Sequence, residues 1–303
     1  MSAAKLSPPA KAATPLLTPA MSVSEAFQAI FASCLEQLEG NRNGVMRGED
    51  IEYVHQMRVA IRRLRSALKL FTAVVPEGAV RAVDEELRWL GGRLGEARDW
   101  DVFVEETLPP RLAEFSSHAE LAELARQAAA MRLEKREGAR TALRSARCRR
   151  LLAELRAWIA NAAWREEGGA RLDKAAMALA AKLLSRRHQV LRKRGRRLPL
   201  LPPHRRHRAR IAAKKLRYAV EFFLPLFPGE AGKGYVKRLS GLQDLLGTLN
   251  DAAVTHRLLD ELGPEAPAAT LVGEVVDIAA ADSLVNLDEA WGQFRRCRPF
   301  WKE

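Results

Sequence analysis

Residues 55–71 are written a second time at 207–223. The first copy runs His55-Gln56-Met57-Arg58-Val59-Ala60-Ile61-Arg62-Arg63-Leu64-Arg65-Ser66-Ala67-Leu68-Lys69-Leu70-Phe71. The second runs His207-Arg208-Ala209-Arg210-Ile211-Ala212-Ala213-Lys214-Lys215-Leu216-Arg217-Tyr218-Ala219-Val220-Glu221-Phe222-Phe223. Seven of these 17 positions are identical, and five more exchange Val for Ile, Arg for Lys, or one large apolar residue for another. The offset of 152 then holds without a gap, pairing Leu94-Gly95 with Leu246-Gly247, Asp99 with Asp251, and Val102 with Val254. An offset shared by separate motifs requires a duplicated structural unit. It is far longer than the ~20–50 residues of a solenoid repeat, which excludes an array.

Both copies carry helical periodicity, and the composition extends it. Ala, Leu, Arg and Glu dominate, aromatics are 6%, and the 48% hydrophobic content is ample for packed cores. The pattern predicts helices at about 23–39, 50–74, 79–95, 99–107, 118–163, 172–195, 204–226, 231–248, 250–262 and 268–292, with an interruption of the longest near Gly138. Asp50 is placed to cap the first repeat helix, Pro202-Pro203 to open the second, and the Leu-Gly pairs to make turns. Asp99 and Asp251 then suit either of two roles, capping the helix that follows or orienting cations. Each half reads as four antiparallel helices. The expected fold is therefore all-α: two four-helix bundles related by internal duplication and a pseudo-twofold, about 21–165 and 170–300. Residues 1–20, rich in Ala, Pro, Ser and Thr, read as a disordered tail.

On a helical wheel, His55, Arg58, Arg62, Arg65 and Lys69 fall within a sector of roughly 80°. Met57, Ala60, Ile61, Leu64, Ala67, Leu68 and Phe71 occupy the opposite face. The second copy repeats this, with His207, Arg210, Lys214 and Arg217 as the stripe; Arg63 and Lys215 sit on the shoulders. Glu221 stands where Lys69 stands, so the last turn of the stripe is not preserved. Like charges one turn apart cost a few tenths of a kcal/mol per pair. A stripe kept twice against that cost points to a ligand with charge repeating along a line. Such a ligand is a linear polyanion, for which Arg supplies forked donors and Lys a compact charge.

The net charge of +13 is concentrated: residues 131–217 hold 27 Lys and Arg against 6 Asp and Glu. Further basic positions are Arg136, Arg140, Arg144 and Arg147 on one helix face, and Arg187 and Arg194 before the second repeat; about half of such charges are expected to be ordinary surface. Cys34, Cys148 and Cys297 are scattered, which argues against a disulfide framework or a zinc site and suits a reducing cytoplasm. No apolar run reaches the ~18 residues of a membrane span.

The paired motifs resemble the CHAD family, the α-helical domain named for its conserved histidines. The likeness lies in His-Gln-Met-Arg-Val-Ala-x-Arg-Arg-Leu-Arg at 55–65, Lys-Lys-Leu-Arg-Tyr at 214–218, and Leu-Gly-x-x-Arg-Asp at 94–99 with its relative Leu-Gly-x-x-Asn-Asp at 246–251. It spans about residues 21–300. The resemblance implies two bundles around a central basic cavity that binds inorganic polyphosphate, with phosphate or sulfate as mimics, at polyphosphate granules and without catalysis. It implies His55, Arg58, Arg62, Arg63, Arg65, His207, Arg210, Lys214, Lys215 and Arg217 as ligand residues. The Glu-x-Glu-x-Lys mark of a fused triphosphate tunnel domain is absent, so a stand-alone module is expected.

Two other functions make distinct demands on the residues. A phosphoanhydride enzyme needs Mg²⁺ on clustered carboxylates or an activated nucleophile, and Asp99 with Asp101 is the suggestive pair. Asp101 becomes Ala253 in the second copy, and no Walker loop is present. No cofactor, metal or catalytic residue is therefore expected. A nucleic-acid binder would need aromatic platforms that the stripes lack, so only non-specific binding is expected there.

Overall fold

The computed structural model describes residues 6–114, 119–263 and 267–302. Among these the fold is all-helical, with a single isolated β-bridge between Ser22 and Ala175. The helices are α1 (Val23–Arg47), α2 (Ile51–Phe71), α3 (Glu77–Val102), α4 (Leu108–Glu114), α5 (Ala119–Arg144), α6 (Ala146–Ala160), α7 (Arg165–Gly168), α8 (Ala176–Arg194), α9 (Pro203–Phe223), α10 (Ala231–Leu262) and α11 (Pro267–Arg296). No helix among the described residues is long and apolar enough to cross a membrane.

The repeat helices α2 and α9 are each 21 residues long, and both their ends lie 152 positions apart. Local signals set these ends. The Asp50 carboxylate accepts the Glu52 amide at 2.8 Å, satisfying one orphan N–H of α2. Helix α9 instead opens on Pro202 and Pro203 without a side-chain cap. Ser22 and Glu25 form a reciprocal capping box at the start of α1.

Three expectations from the pattern are corrected. The Leu-Gly pairs do not make turns: Gly95 lies inside α3, and Gly247 lies inside α10, which runs unbroken for 32 residues. A lone glycine costs only about 1 kcal/mol in a helix, and packing on the neighbouring helix outweighs it. The long helix passes through Gly138 and breaks instead at Ser145, whose hydroxyl caps α6 by accepting the Cys148 amide at 3.1 Å.

The third correction concerns the tail. Residues 6–20 lie as an irregular strap on α1 and α2. Asn41 is fully buried and bonds Ala10 in both directions, donating to its carbonyl at 2.8 Å and accepting its amide at 3.0 Å. The Tyr53 hydroxyl donates to the Ser7 carbonyl at 2.7 Å, and Leu17 is buried. A low-complexity composition understated the strap because its partners are backbone carbonyls, which any residue supplies.

The chain divides into two compact units that are not contiguous halves. The first comprises residues up to Asp101 with Met131–Leu179; the second comprises Val102–Ala130 with residues from Ala180 onward. In the first unit α1 packs along α2, where Gly44 leaves room for the Tyr53 ring at a place any Cβ would fill. Phe27, Phe31, Phe71, Trp158 and Trp164 make its aromatic centre. In the second unit α10 packs on α9 and α11, and His188, Tyr235, Phe294, Phe300 and Trp301 cluster together.

Candidate functional site

The site is built on the face of each repeat helix opposite its apolar anchor. In α2, Met57, Ala60, Ile61, Leu64, Ala67, Leu68 and Phe71 are all at most 1% exposed. In α9, Ala209, Ala213, Leu216, Val220 and Phe223 are buried to the same degree. Burial of these faces fixes the rotation of both helices and so aims the stripes. His55, Arg58, Arg62 and Arg65 are half-buried and Lys69 is exposed; in α9, Arg210, Lys214 and Arg217 are half-buried and His207 is exposed.

Carboxylates hold the arginines. Arg58 Nη1 donates to Asp99 Oδ1 at 2.8 Å and to the Gly95 carbonyl at 3.1 Å. Arg210 faces Asp251 at 4.0 Å in the second unit. Asp99 lies in the last turn of α3 and Asp251 inside α10, so neither stands at a helix N-terminus to cap it, and the cation-orienting role is the one the structure shows. The motif that read as a turn is thus the place where α3 and α10 present a carboxylate to the repeat helix.

The next arginines show why Glu221 replaces Lys69. Arg65 Nε donates to Asp84 Oδ1 on α3 at 2.7 Å. The position equivalent to Asp84 in α10 is Val236, and there Arg217 instead pairs with Glu221, one turn ahead, at 3.1 Å. Each arginine therefore keeps one carboxylate, supplied by the neighbouring helix in one unit and by its own helix in the other. Burial pushes the Asp84 carboxyl up, but the hydrogen bond from Arg65 and the charges of Arg65, Lys69 and Arg88 outweigh it and hold it below the usual range.

His55 is held below the ordinary imidazole value, first by burial and then by the charge of Arg98, with Arg62 and Arg58 adding to it and Glu52 opposing. It is therefore largely neutral at neutral pH. In the second unit His207 and Arg210 share a small cleft of about 90 Å³ with Pro203, Arg206, Leu246 and Asn250.

Several expected ligand residues are otherwise engaged. Arg63 is 2% exposed; its guanidinium donates to Gln37 Oε1 and to the Ala13 carbonyl, each at 2.9 Å, and ties the strap to α2. Its wheel position was ambiguous, and burial under the strap decides it: Arg63 is a core cation facing away from the stripe. Lys215, its counterpart, is half-buried.

The basic row at 136–147, which the break at Ser145 divides so that Arg136, Arg140 and Arg144 lie on α5 and Arg147 on α6, is also largely spoken for. Arg136 is 5% exposed and pairs with Asp101 at 2.9 Å and with Glu49 at 2.7 Å, while Arg132 meets Asp101 at 2.9 Å. Arg140 pairs with Glu49, Arg144 with Glu137, and Arg147 with Glu86 while lying over the Trp89 ring. Asp101, fully buried, is thus the centre of an arginine network. Sequence reasoning missed these acidic partners because they lie up to 91 residues from their cations.

Helices that display paired cation rows over buried apolar faces define an all-helical protein with two matched basic faces. Comparison with known proteins agrees and is more specific. The CHAD domain family profile matches residues 29–260, and the chain belongs to the CHAD domain family. The crystal structure of the CHAD domain from the plant Ricinus communis superposes with a TM-score of 0.80 at 37% identity, covering 96% of this chain and 97% of that one. PptA from Streptomyces chartreusis shares the fold with a TM-score of 0.66 at 17% identity, covering 93% of this chain and 100% of that one. No curated protein matched in sequence.

Proposed function

We propose that this protein binds inorganic polyphosphate along the stripes of α2 and α9, as a non-catalytic module at polyphosphate granules in the cytoplasm. The observation that carries the reading is the equivalent placement of two cation rows, His55-Arg58-Arg62-Arg65 and His207-Arg210-Lys214-Arg217, on helices with matching ends. The fold that goes with it is a pair of four-helix bundles related by duplication. Membership of the CHAD family supports the ligand class.

The chemistry follows from the geometry of each row. Successive cations stand about one helical turn, ~5.4 Å, apart, so a linear polyanion meets one positive group at each step. A guanidinium carries five N–H donors, so a carboxylate that orients it is compatible with a phosphate that also binds it. Orientation by Asp99, Asp84, Asp251 and Glu221 lowers the rotamer entropy lost on binding. Phosphate beside His55 favours the imidazolium, so binding there takes up a proton.

A competition titration tests the ligand class. Long-chain polyphosphate is expected to bind with duplex DNA displacing it only at a large excess of phosphate, and no orthophosphate is released from it in the presence of Mg²⁺. Displacement by DNA at equal phosphate concentration would make this a nucleic-acid binder. Turnover lost on Asp99→Ala would make it an enzyme.

A further inference from the structure

The two repeat helices differ most at their first turns, and every change of charge there runs positive. Asp50, Glu52, Tyr53 and Gln56 of the first copy are replaced by Pro202, His204, Arg205 and Arg208 in the second. The cap and the first-turn carboxylate that complement the dipole of α2 are both gone from α9. Cations at a helix N-terminus oppose its dipole, so α9 gives up stability that α2 keeps.

These arginines meet a second basic group. Lys193, Arg194, Arg196, Arg205 and Arg208 line one cleft of about 530 Å³, between the end of α8 and the start of α9. Its apolar wall is Val190 and Leu201, and among the described residues no carboxylate lines it. The volume falls within the ~300–1,000 Å³ of small-molecule sites.

The connection that carries the cations is built to hold its shape. Gly195 lies flat against the Trp291 ring, at 2.5 Å from where a Cβ would stand, and Leu198 is fully buried. Arg197 adopts a left-handed conformation at φ 56°, which a non-glycine residue keeps only when its surroundings impose it. Arg194 Nη1 donates to the Arg208 carbonyl at 3.3 Å, and Arg206 Nη1 to the Leu201 carbonyl at 2.6 Å. On the same helix, burial first and then the charges of Arg186 and Arg194 hold the Arg187 guanidinium below its ordinary range.

We propose that this cleft is a second anion site, separate from the stripes and specific to the second copy, which takes a compact oligophosphate. A row suits a long chain; a concave room ringed by five cations suits a short anion with dense charge. None of the lining residues is aromatic, so a nucleobase would find no platform. The oligophosphate has two sources, a free short chain or the terminus of a longer one, and the second rests on the polyphosphate reading of the stripes.

Calorimetric titration of the full chain with sodium tripolyphosphate tests the site, comparing the wild type with Arg205→Gln/Arg208→Gln. Both side chains are exposed and Arg205 opposes the dipole of α9, so the melting temperature should not fall and should rise by a small amount. Tripolyphosphate affinity is expected to fall at least about tenfold, since each charge-assisted contact contributes a factor of that order. If long-chain affinity per chain end falls with it, the cleft takes chain termini; if long-chain affinity holds, it takes free oligophosphate. The same loss in a protein that binds no long chain would leave the cleft standing and remove the stripe reading. An unchanged tripolyphosphate titration would overturn the site, as would its displacement by a single-stranded oligonucleotide at equal phosphate.

Discussion

Arg63 shows how a single residue can look like a ligand contact and serve packing. It is held by Gln37 and the Ala13 carbonyl and is nearly inaccessible. Replacement by Met strands two acceptors under the strap, at a cost on the order of 2–3 kcal/mol. The Arg63→Met protein is expected to melt at lower temperature and to be cut sooner by protease within residues 6–17, while its polyphosphate affinity changes less than about twofold. A large loss of affinity at unchanged melting temperature would return Arg63 to the site. The wheel placed Arg63 on a shoulder between core and stripe. No periodicity argument could choose between them, because the strap that covers it comes from more than 40 residues away in the chain, at Ala13.

At the scale of the helix, a cap and a proline pair made the starts of α2 and α9 readable to within one residue, while both helices end three residues short of the expected 74 and 226. The Leu-Gly motif misled because its function is lateral: it brings Asp99 and Asp251 opposite the cations, and a pattern read along one helix does not see the next. The compensating exchange of Asp84 and Lys69 for Val236 and Glu221 is invisible for the same reason. Helix α8 carries a different consequence. Burial pushes the His188 imidazole down to about 4, beside the Tyr235 hydroxyl at 2.8 Å. Between pH 6.5 and about 4 the unfolded chain protonates this histidine and the native one does not, so stability falls as pH falls. His55 acts in the same direction through its own depressed value. The melting temperature is therefore expected to drop from pH 6.5 to 5, above the ordinary carboxylate range and against the opposite pull of Asp101, whose carboxyl burial raises, and His188→Gln should flatten that slope. A slope identical in the variant would place the acid sensitivity elsewhere.

At the scale of the molecule, +13 net charge coexists with carboxylates placed on the cations that matter most. The network of Asp101, Glu49, Arg132, Arg136 and Arg140 neutralises one basic row for structural use, and the stripes are oriented by their carboxylates without being covered. The copies are also unequal, since Arg58 sits 2.8 Å from Asp99 and Arg210 sits 4.0 Å from Asp251. The looser pair has less attraction to give up when a phosphate arrives, so Arg210 should contribute more to binding than Arg58. The direct measurement is calorimetric titration of long-chain polyphosphate into wild type, Arg58→Gln, Arg210→Gln and the double variant, repeated over a range of salt. The stripes predict losses in the order double, Arg210→Gln, Arg58→Gln, with the double variant folded, at least about a hundredfold weaker, and shallower in its salt dependence. A double variant that folds and binds polyphosphate as tightly as the wild type would contradict the account.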